Sequence, residues 1–260
     1  MTRRPLEKWW QIGGLAGITS IVLSLVPLIL VADEPRFTDS GQDIMAWYVR
    51  NGDRWLAGIF VLGIAYAFFF LPFLSALTSV LASAEGQPPM WSRVAAAGGL
   101  LFVAAVVAML GGEGMVSYLT KDAGQDVARA GMAFALFGYS RSGLFAAVFV
   151  LSASLVILQR GVFWSWLGWY GLVVAAVNLV GAAAIFDTPD GPLGVLRTRV
   201  APPALALWIV AASVGMLRLG KGAADDDPAR HGLQGSAGHP DGRGDPDLIP
   251  AQQVAQGGPR

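Results

Sequence analysis

The chain has 260 residues, of which 54% are hydrophobic and only 14% charged, well short of the ~25% charge of a soluble domain. Its 18 basic and 18 acidic residues balance to a net charge of zero, so there is no electrostatic case for nucleic acid. Cysteine is absent, which excludes disulfides, thiolate catalysis, iron–sulfur clusters and cysteine–zinc sites.

The few charges are segregated. Uncharged runs over 9–32, 55–84, 94–112, 161–186 and 200–217 alternate with short polar stretches. A further run, about 131–158, is broken only by Arg141. A spanning helix needs ~20 mostly apolar residues at ~1.5 Å rise each, and these runs are of that order. Hydrocarbon offers the backbone no hydrogen-bonding partner, so runs of this kind must be helical. The alternating short segments of a membrane barrel do not occur. The sequence therefore predicts an all-α polytopic transmembrane helix bundle of about six spans, with an outer surface amphipathic helix and a disordered C-terminal tail.

The first span is expected over about 10–31. The preceding Arg3-Arg4 loosely resembles a twin-arginine signal, but the apolar run exceeds the ~7–15 residues of a signal core and lacks a small-x-small cleavage site, so this span is expected to remain. Pro27 predicts a bend near its far end. In the polar loop that follows, Asp39 or Ser40 can cap a short helix on which Ile44, Trp47 and Tyr48 share one face. Asn51-Gly52 reads as its stop and Asp53 as the cap of the next span. This predicts an amphipathic helix lying on the membrane surface, rings down, with Asp39 and Asp43 on its wet side. The second span is expected over about 54–81, and the short loop Glu85-Gly86-Gln87-Pro88-Pro89 leads to a third at about 91–110. The fourth covers about 131–158, its helix starting early near Asp126 with its first turns outside the hydrocarbon. A tight hairpin at Gln159-Arg160-Gly161 precedes the fifth span, about 164–185. The sixth, about 201–217, follows the turn-rich stretch Asp187-Thr188-Pro189-Asp190-Gly191-Pro192, with Pro202 and Pro203 suited to a first helical turn. The transmembrane domain is thus placed at 1–221. Residues 222–260 are too poor in large apolar side chains to offset chain entropy.

Six spans put both termini on one side. The basic residues of the two faces divide seven against seven, so the raw count of the positive-inside rule is silent. The flank of the first span breaks the tie, with Arg3, Arg4 and Lys8 before it and Arg36 after it. Trp9, Trp10, Trp91, Trp164 and Trp166 mark the same face as an interfacial belt. The expectation is a multi-pass protein of the cell membrane with both termini cytoplasmic.

Arg141 is the only charge inside an expected span, and an ionisable residue there is a functional suspect. It precedes Arg160 by 19 positions, ~28 Å along a helix, so it falls at the outer boundary of a ~30 Å core, where snorkelling is the plainer account. The sharper account joins it to Glu113, which ends the third span, and Asp187, which ends the fifth. Glu113, Arg141 and Asp187 are the candidate ligand-binding cluster, an ion-paired mouth or head-group site. Asn178, among apolar neighbours, is expected to form an interhelical hydrogen bond. No catalytic residue, metal-ligand set or cofactor motif is assigned: no expected span holds His, Asp or Glu in its interior, and no Walker, Rossmann or haem-attachment pattern occurs.

Two stretches, Ala46-Trp47-Tyr48-Val49-Arg50-Asn51-Gly52-Asp53-Arg54 before the second span and Trp166-Leu167-Gly168-Trp169-Tyr170-Gly171-Leu172-Val173 entering the fifth, carry a resemblance. In this order of features the membrane part resembles a group of uncharacterised actinobacterial six-span integral membrane proteins. The resemblance implies a six-span fold and supplies no catalytic residues. The reading that follows is a non-enzymatic small carrier or a helper subunit of a membrane complex, with the lipid bilayer and a membrane protein or a second copy as partners. The alternatives are a lipid-handling protein or enzyme with its polar site at the outer face, and a signalling scaffold acting through the tail.

Overall fold

The computed structural model describes residues 4–31, 39–119, 124–186 and 191–225. Asp187 and the tail beyond Asp225 lie outside the described residues. Six helices are long and apolar enough to cross a membrane: α1 (Lys8–Leu30), α2 (Gly41–Glu85), α3 (Met90–Leu119), α4 (Gln125–Arg160), α5 (Ser165–Phe186) and α6 (Pro192–Gly220, helical on to Asp225). No strand occurs among the described residues. The fold is an all-α polytopic bundle, and large apolar side chains such as Leu15, Val22, Leu100, Leu151, Val173 and Leu207 face outward along it, as lipid requires.

Prolines shape three of the helices. α1 breaks at Leu25, two residues before Pro27, and resumes as Val26–Leu30. In α2 a π-helical stretch, Ala65–Phe70, stands just before Leu71-Pro72. In α6 another, Leu196–Val200, stands just before Ala201-Pro202-Pro203. Proline cannot donate to the carbonyl four residues back and its ring clashes there. A widened turn upstream relieves the clash without ending the helix.

These widened turns explain two departures from the expected boundaries. Pro202 and Pro203 do not open the sixth helix, which begins at Pro192 with a first turn capped by Gly191. Likewise, α2 does not stop at Asn51-Gly52. It runs on from Gly41 as one 45-residue segment, ~67 Å long. The Asn51 side chain donates to the Trp47 carbonyl within the helix (3.3 Å), and Gly52 is buried against Ser117 of α3. Gly52 therefore serves close packing, not termination. Ser40 is the N-cap: its hydroxyl accepts from the Asp43 amide at 3.1 Å. Ile44, Trp47 and Tyr48 do share a buried face, but that face meets protein. They form a small second core with Val31, Trp55, Val116 and Ala128.

α3 and α4 pair antiparallel along their length, and Gly98 lets them touch: a Cβ there would stand 2.8 Å from the Phe149 amide nitrogen. α4 is the central helix, packed on α2, α3 and α5. α1 lies across α2 and α6, with Gly17 against Phe73 and Gly14 against Ser213 and Leu217. The main core holds an aromatic column. Ring centroids of Phe70 and Phe102 are 5.6 Å apart, Phe70 and Phe149 6.1 Å, and Phe149 and Trp208 5.5 Å. The Trp208 indole donates to the Leu167 carbonyl (3.3 Å) and Tyr170 to the Ala204 carbonyl (3.0 Å), tying α5 to α6.

The two hairpins at the end carrying the termini match expectation. Gly161 takes a left-handed conformation (φ 62°) and closes α4, its amide donating to the Ile157 carbonyl at 2.9 Å. Glu85, at the end of α2, caps the next helix: its carboxylate accepts from the Trp91 amide (2.8 Å), the Ser92 amide (2.9 Å) and the Ser92 hydroxyl (2.6 Å). Replacing it (Glu85→Ala) should cost about 1–2 kcal/mol, because three donors lose one acceptor and buried Ser92 is stranded. Thermal unfolding in detergent measures this; an unchanged midpoint would show that the cap is dispensable.

Candidate functional site

Counting along the helices places the polar residues relative to a hydrocarbon layer. At the end carrying the termini, Arg218 lies over the Trp164 ring (4.9 Å), and Arg160 closes α4 nearby. Arg197 precedes Arg218 by 21 positions, ~31 Å, and Arg141 precedes Arg160 by 19, ~28 Å. With ~30 Å of hydrocarbon, both arginines stand at the far boundary. They face opposite ways. Arg141 is exposed, its guanidinium 5.9 Å from the Phe137 ring centroid one turn back. Arg197 is 3% exposed.

The helix register separates Arg141 from its expected partner. Gly138 lies opposite Met109 and Gly131 opposite Val116 across the α3–α4 seam, so Arg141 falls level with about Val106. Glu113, half-buried, is then roughly seven residues, ~10 Å, further out. Asp187, the third member of the expected cluster, lies outside the described residues. Past the level of Arg141, α2, α3 and α4 continue together for ~20 Å, held by the second core.

The interior site belongs to Arg197, which sequence reasoning assigned to a loop. It sits in the widened turn of α6 and reaches between α4 and α5. Its Nε donates to the Tyr139 carbonyl at 3.0 Å. Nη2 donates to the same carbonyl and, at 2.6 Å, to the Ser142 hydroxyl. Nη1 donates to Asn178 Oδ1 across a long 3.4 Å. The guanidinium also stacks 4.1 Å from the Tyr139 ring centroid. Asn178 is held in turn by its amide, which donates to the Val174 carbonyl at 2.9 Å, so the expected interhelical bond is made and its partner is a cation. Tyr66, in the widened turn of α2, lies near Ser24 of α1 and within electrostatic reach of Arg197.

Two glycines make room. A Cβ on Gly143 would stand 3.1 Å from Arg197 Cζ and 3.1 Å from the Asn178 carbonyl oxygen. One on Gly181 would stand 3.3 Å from Arg197 Cα. The arginine stem thus crosses both neighbouring helices where they lack side chains. Its contacts among the described residues are all neutral: a carbonyl, a hydroxyl, an amide oxygen and a phenol ring. Nearby on α4, the Ser140 hydroxyl is buried with no partner among the described residues. No group of three or more His, Asp or Glu close enough to hold a metal ion occurs among the described residues.

The clue to Arg197 lay in Gly191-Pro192-Leu193, a helix start with Leu193, Leu196 and Val200 continuing at helical spacing. Comparison with known proteins adds no assignment: no family model, no curated protein and no solved structure matches the chain.

The two boundary arginines should differ sharply on truncation. Arg197→Ala leaves a cavity and strips Asn178 and Ser142 of a charged partner, and should lower stability by about 3 kcal/mol. Arg141→Ala should stay within about 0.5 kcal/mol. Thermal or denaturant unfolding of both variants in one detergent decides it; equal effects would refute the distinction.

Proposed function

We propose that this chain is a non-enzymatic helper subunit of the bacterial inner membrane, with both termini cytoplasmic, that acts by packing against another membrane component. The observation carrying this reading is the filled midplane. Trp208 lies 10 positions, ~15 Å, from Arg218 and is wholly buried with Phe149 and Phe70 around it. A carrier needs a polar cavity at that depth, and the side chains there are mainly aromatic and aliphatic, with the buried hydroxyls of Ser152 and Ser154 among them. The buried arginine is engaged by internal neutral acceptors near the boundary, away from any midplane path. The projection of α2, α3 and α4 beyond the hydrocarbon gives such a subunit a surface outside the lipid.

The absence of native cysteine makes the test direct. Single cysteines at Ala146, Ala153 or Ala212, all wholly buried, should resist a membrane-impermeant maleimide from either side of sealed vesicles. Cysteines at exposed Asp43 and Gln159 should label from opposite sides, Gln159→Cys from the cytoplasmic one. In mild detergent the native protein should migrate as a species larger than its own monomer. Labelling at Ala153→Cys would reveal a water path and favour a carrier, and a strictly monomeric protein would sink the helper reading.

A further inference from the structure

We propose that the exposed face of α3 and α4 beyond the hydrocarbon seats a second copy of this chain, the two related by a twofold axis along the membrane normal. The inference rests on the reading of the chain as a subunit that packs against a membrane component, and it names that component and the surface it meets. What points to it is an apolar surface at a depth that lipid does not reach.

Arg141 and Val106 mark the far boundary, and the head-group layer beyond it is only ~5–8 Å thick. Met115 lies nine positions past Val106, ~13 Å, and Tyr118 twelve, ~18 Å. On α4, Phe137 and Phe134 precede Arg141 by four and seven positions, ~6 Å and ~10 Å. Met115 is 52% exposed, Tyr118 78%, Phe137 50% and Phe134 54%. They belong to one surface. Phe134 lies over Gly112, where a Cβ would collide with its ring. Met115 and Tyr118 follow Gly111 at helical spacing along the outward side of α3.

The same projection carries its own control. Gly52 of α2 faces Ser117 of α3, so Asp53 and Arg54 stand level with Met115 and Tyr118. Both are exposed, and with Asp43 and Arg50 they make the outward side of α2 charged, as water requires. On α4, Arg129 leans toward Gly41 of α2, and Asp126 stands at the tip of the helix. Glu113 of α3 is half-buried. One side of the projection is therefore built for water, and the other, at the same depth, presents rings and a thioether.

Area and depth select the occupant. With Leu119, the apolar side chains beyond the boundary expose about 500 Å², taking roughly 150–250 Å² for a large side chain, which is the scale of an interaction patch. The row continues into the hydrocarbon as Gly111, Ala108 and Ala104, all exposed, and nothing lies within 4 Å of where a Cβ on Gly111 would stand. Small residues there let a second helix approach closely. Adding Leu100, Leu101 and Val107 brings the face toward the ~800 Å² per partner of a standard interface. The occupant must itself be apolar across the far boundary and for ~20 Å beyond it. A copy rotated about an axis along the membrane normal presents such a face at the same depth, residue for residue. The C-terminal residues follow α6 on the opposite side of the hydrocarbon, which leaves a second chain as the occupant.

The test uses the full-length chain in its native membrane, where the absence of native cysteine keeps the background clean. Gly111→Cys, Met115→Cys and Tyr118→Cys are each treated with a short bis-maleimide, beside Asp43→Cys and Asp53→Cys on α2. At least one of the α3 positions should convert most of the 27.3 kDa chain to a band of twice that mass, and the α2 positions should leave it monomeric. The double variant Met115→Glu and Tyr118→Glu, both exposed within one chain, should keep its helical circular dichroism and run as a monomer in mild detergent. The proposal is overturned if no α3 position links, or if the α2 positions link as readily. It is also overturned if the native species larger than a monomer holds a different protein and a single copy of this chain, whether or not the double variant releases it; the helper reading survives that result. A chain that is monomeric in the membrane and in detergent removes both.

Discussion

Hydrocarbon gives a backbone amide nothing to bond except another amide, and the architecture follows from that constraint. It forces each apolar run into a helix and makes any interruption within a run expensive. Proline is the interruption this sequence contains. At Pro72, and at Pro202-Pro203, the chain keeps its helix by widening the turn before the proline, so that neither α2 nor α6 divides. Pro27, by contrast, stands near the end of α1, where the helix simply breaks at Leu25 and resumes for one turn. Breaking costs less there because the freed groups are close to the polar boundary.

A widened turn changes the direction of the side chains it carries, and here it carries the ones that matter. The turn in α2 bears Tyr66 and Phe70; the turn in α6 bears Arg197. Phe70 enters the aromatic column, and Tyr66 stands at its far end beside the arginine cluster. The bundle is thus layered along its axis. A plug of Phe149, Trp208 and Phe70 fills the middle, a polar layer around Arg197 covers its far end, and a second small core of Trp47, Tyr48 and Trp55 lies beyond. Each layer draws on at least three helices.

How much of this was legible depends on what each residue type reports. The six runs were readable because apolar composition over ~20 residues is an unambiguous demand for lipid. The hairpins at Gly86 and Gly161, the cap at Ser40 and the bond of Asn178 were readable because they rest on local chemistry. The boundaries at the far end were not, for a common reason. Asn51-Gly52, Asp53, Glu113 and Arg197-Thr198-Arg199 are polar, and polarity marks where hydrocarbon ends, not where a helix ends. Helices α2, α3 and α6 carry on past that line unannounced, whereas the early start of α4 near Asp126 was expected. The same confusion hid the site. Arg141 stood out because it interrupts a run, yet it faces outward. Arg197 was absorbed into a loop because it follows a turn-rich stretch, yet it is the cation the fold encloses. Composition gives depth along the membrane normal, and only packing gives the direction around the helix.

The choice of arginine at that point follows from what surrounds it. A lysine offers three donors clustered at one atom and strong hydration that burial would strip away. The cluster needs donors spread in a plane: one edge toward the Tyr139 carbonyl, one tip toward Ser142, the other toward Asn178, and a flat face on the Tyr139 ring. Only guanidinium has that shape. In meeting it, the side chain joins α6 to α4 and α5 at the place where α6 is weakest, the widened turn ahead of two prolines. Gly143 and Gly181 belong to the same arrangement, since a methyl group on either would press on the arginine from the helix it crosses. The local weakness that proline imposes and the polar tie that spans it are therefore parts of one solution.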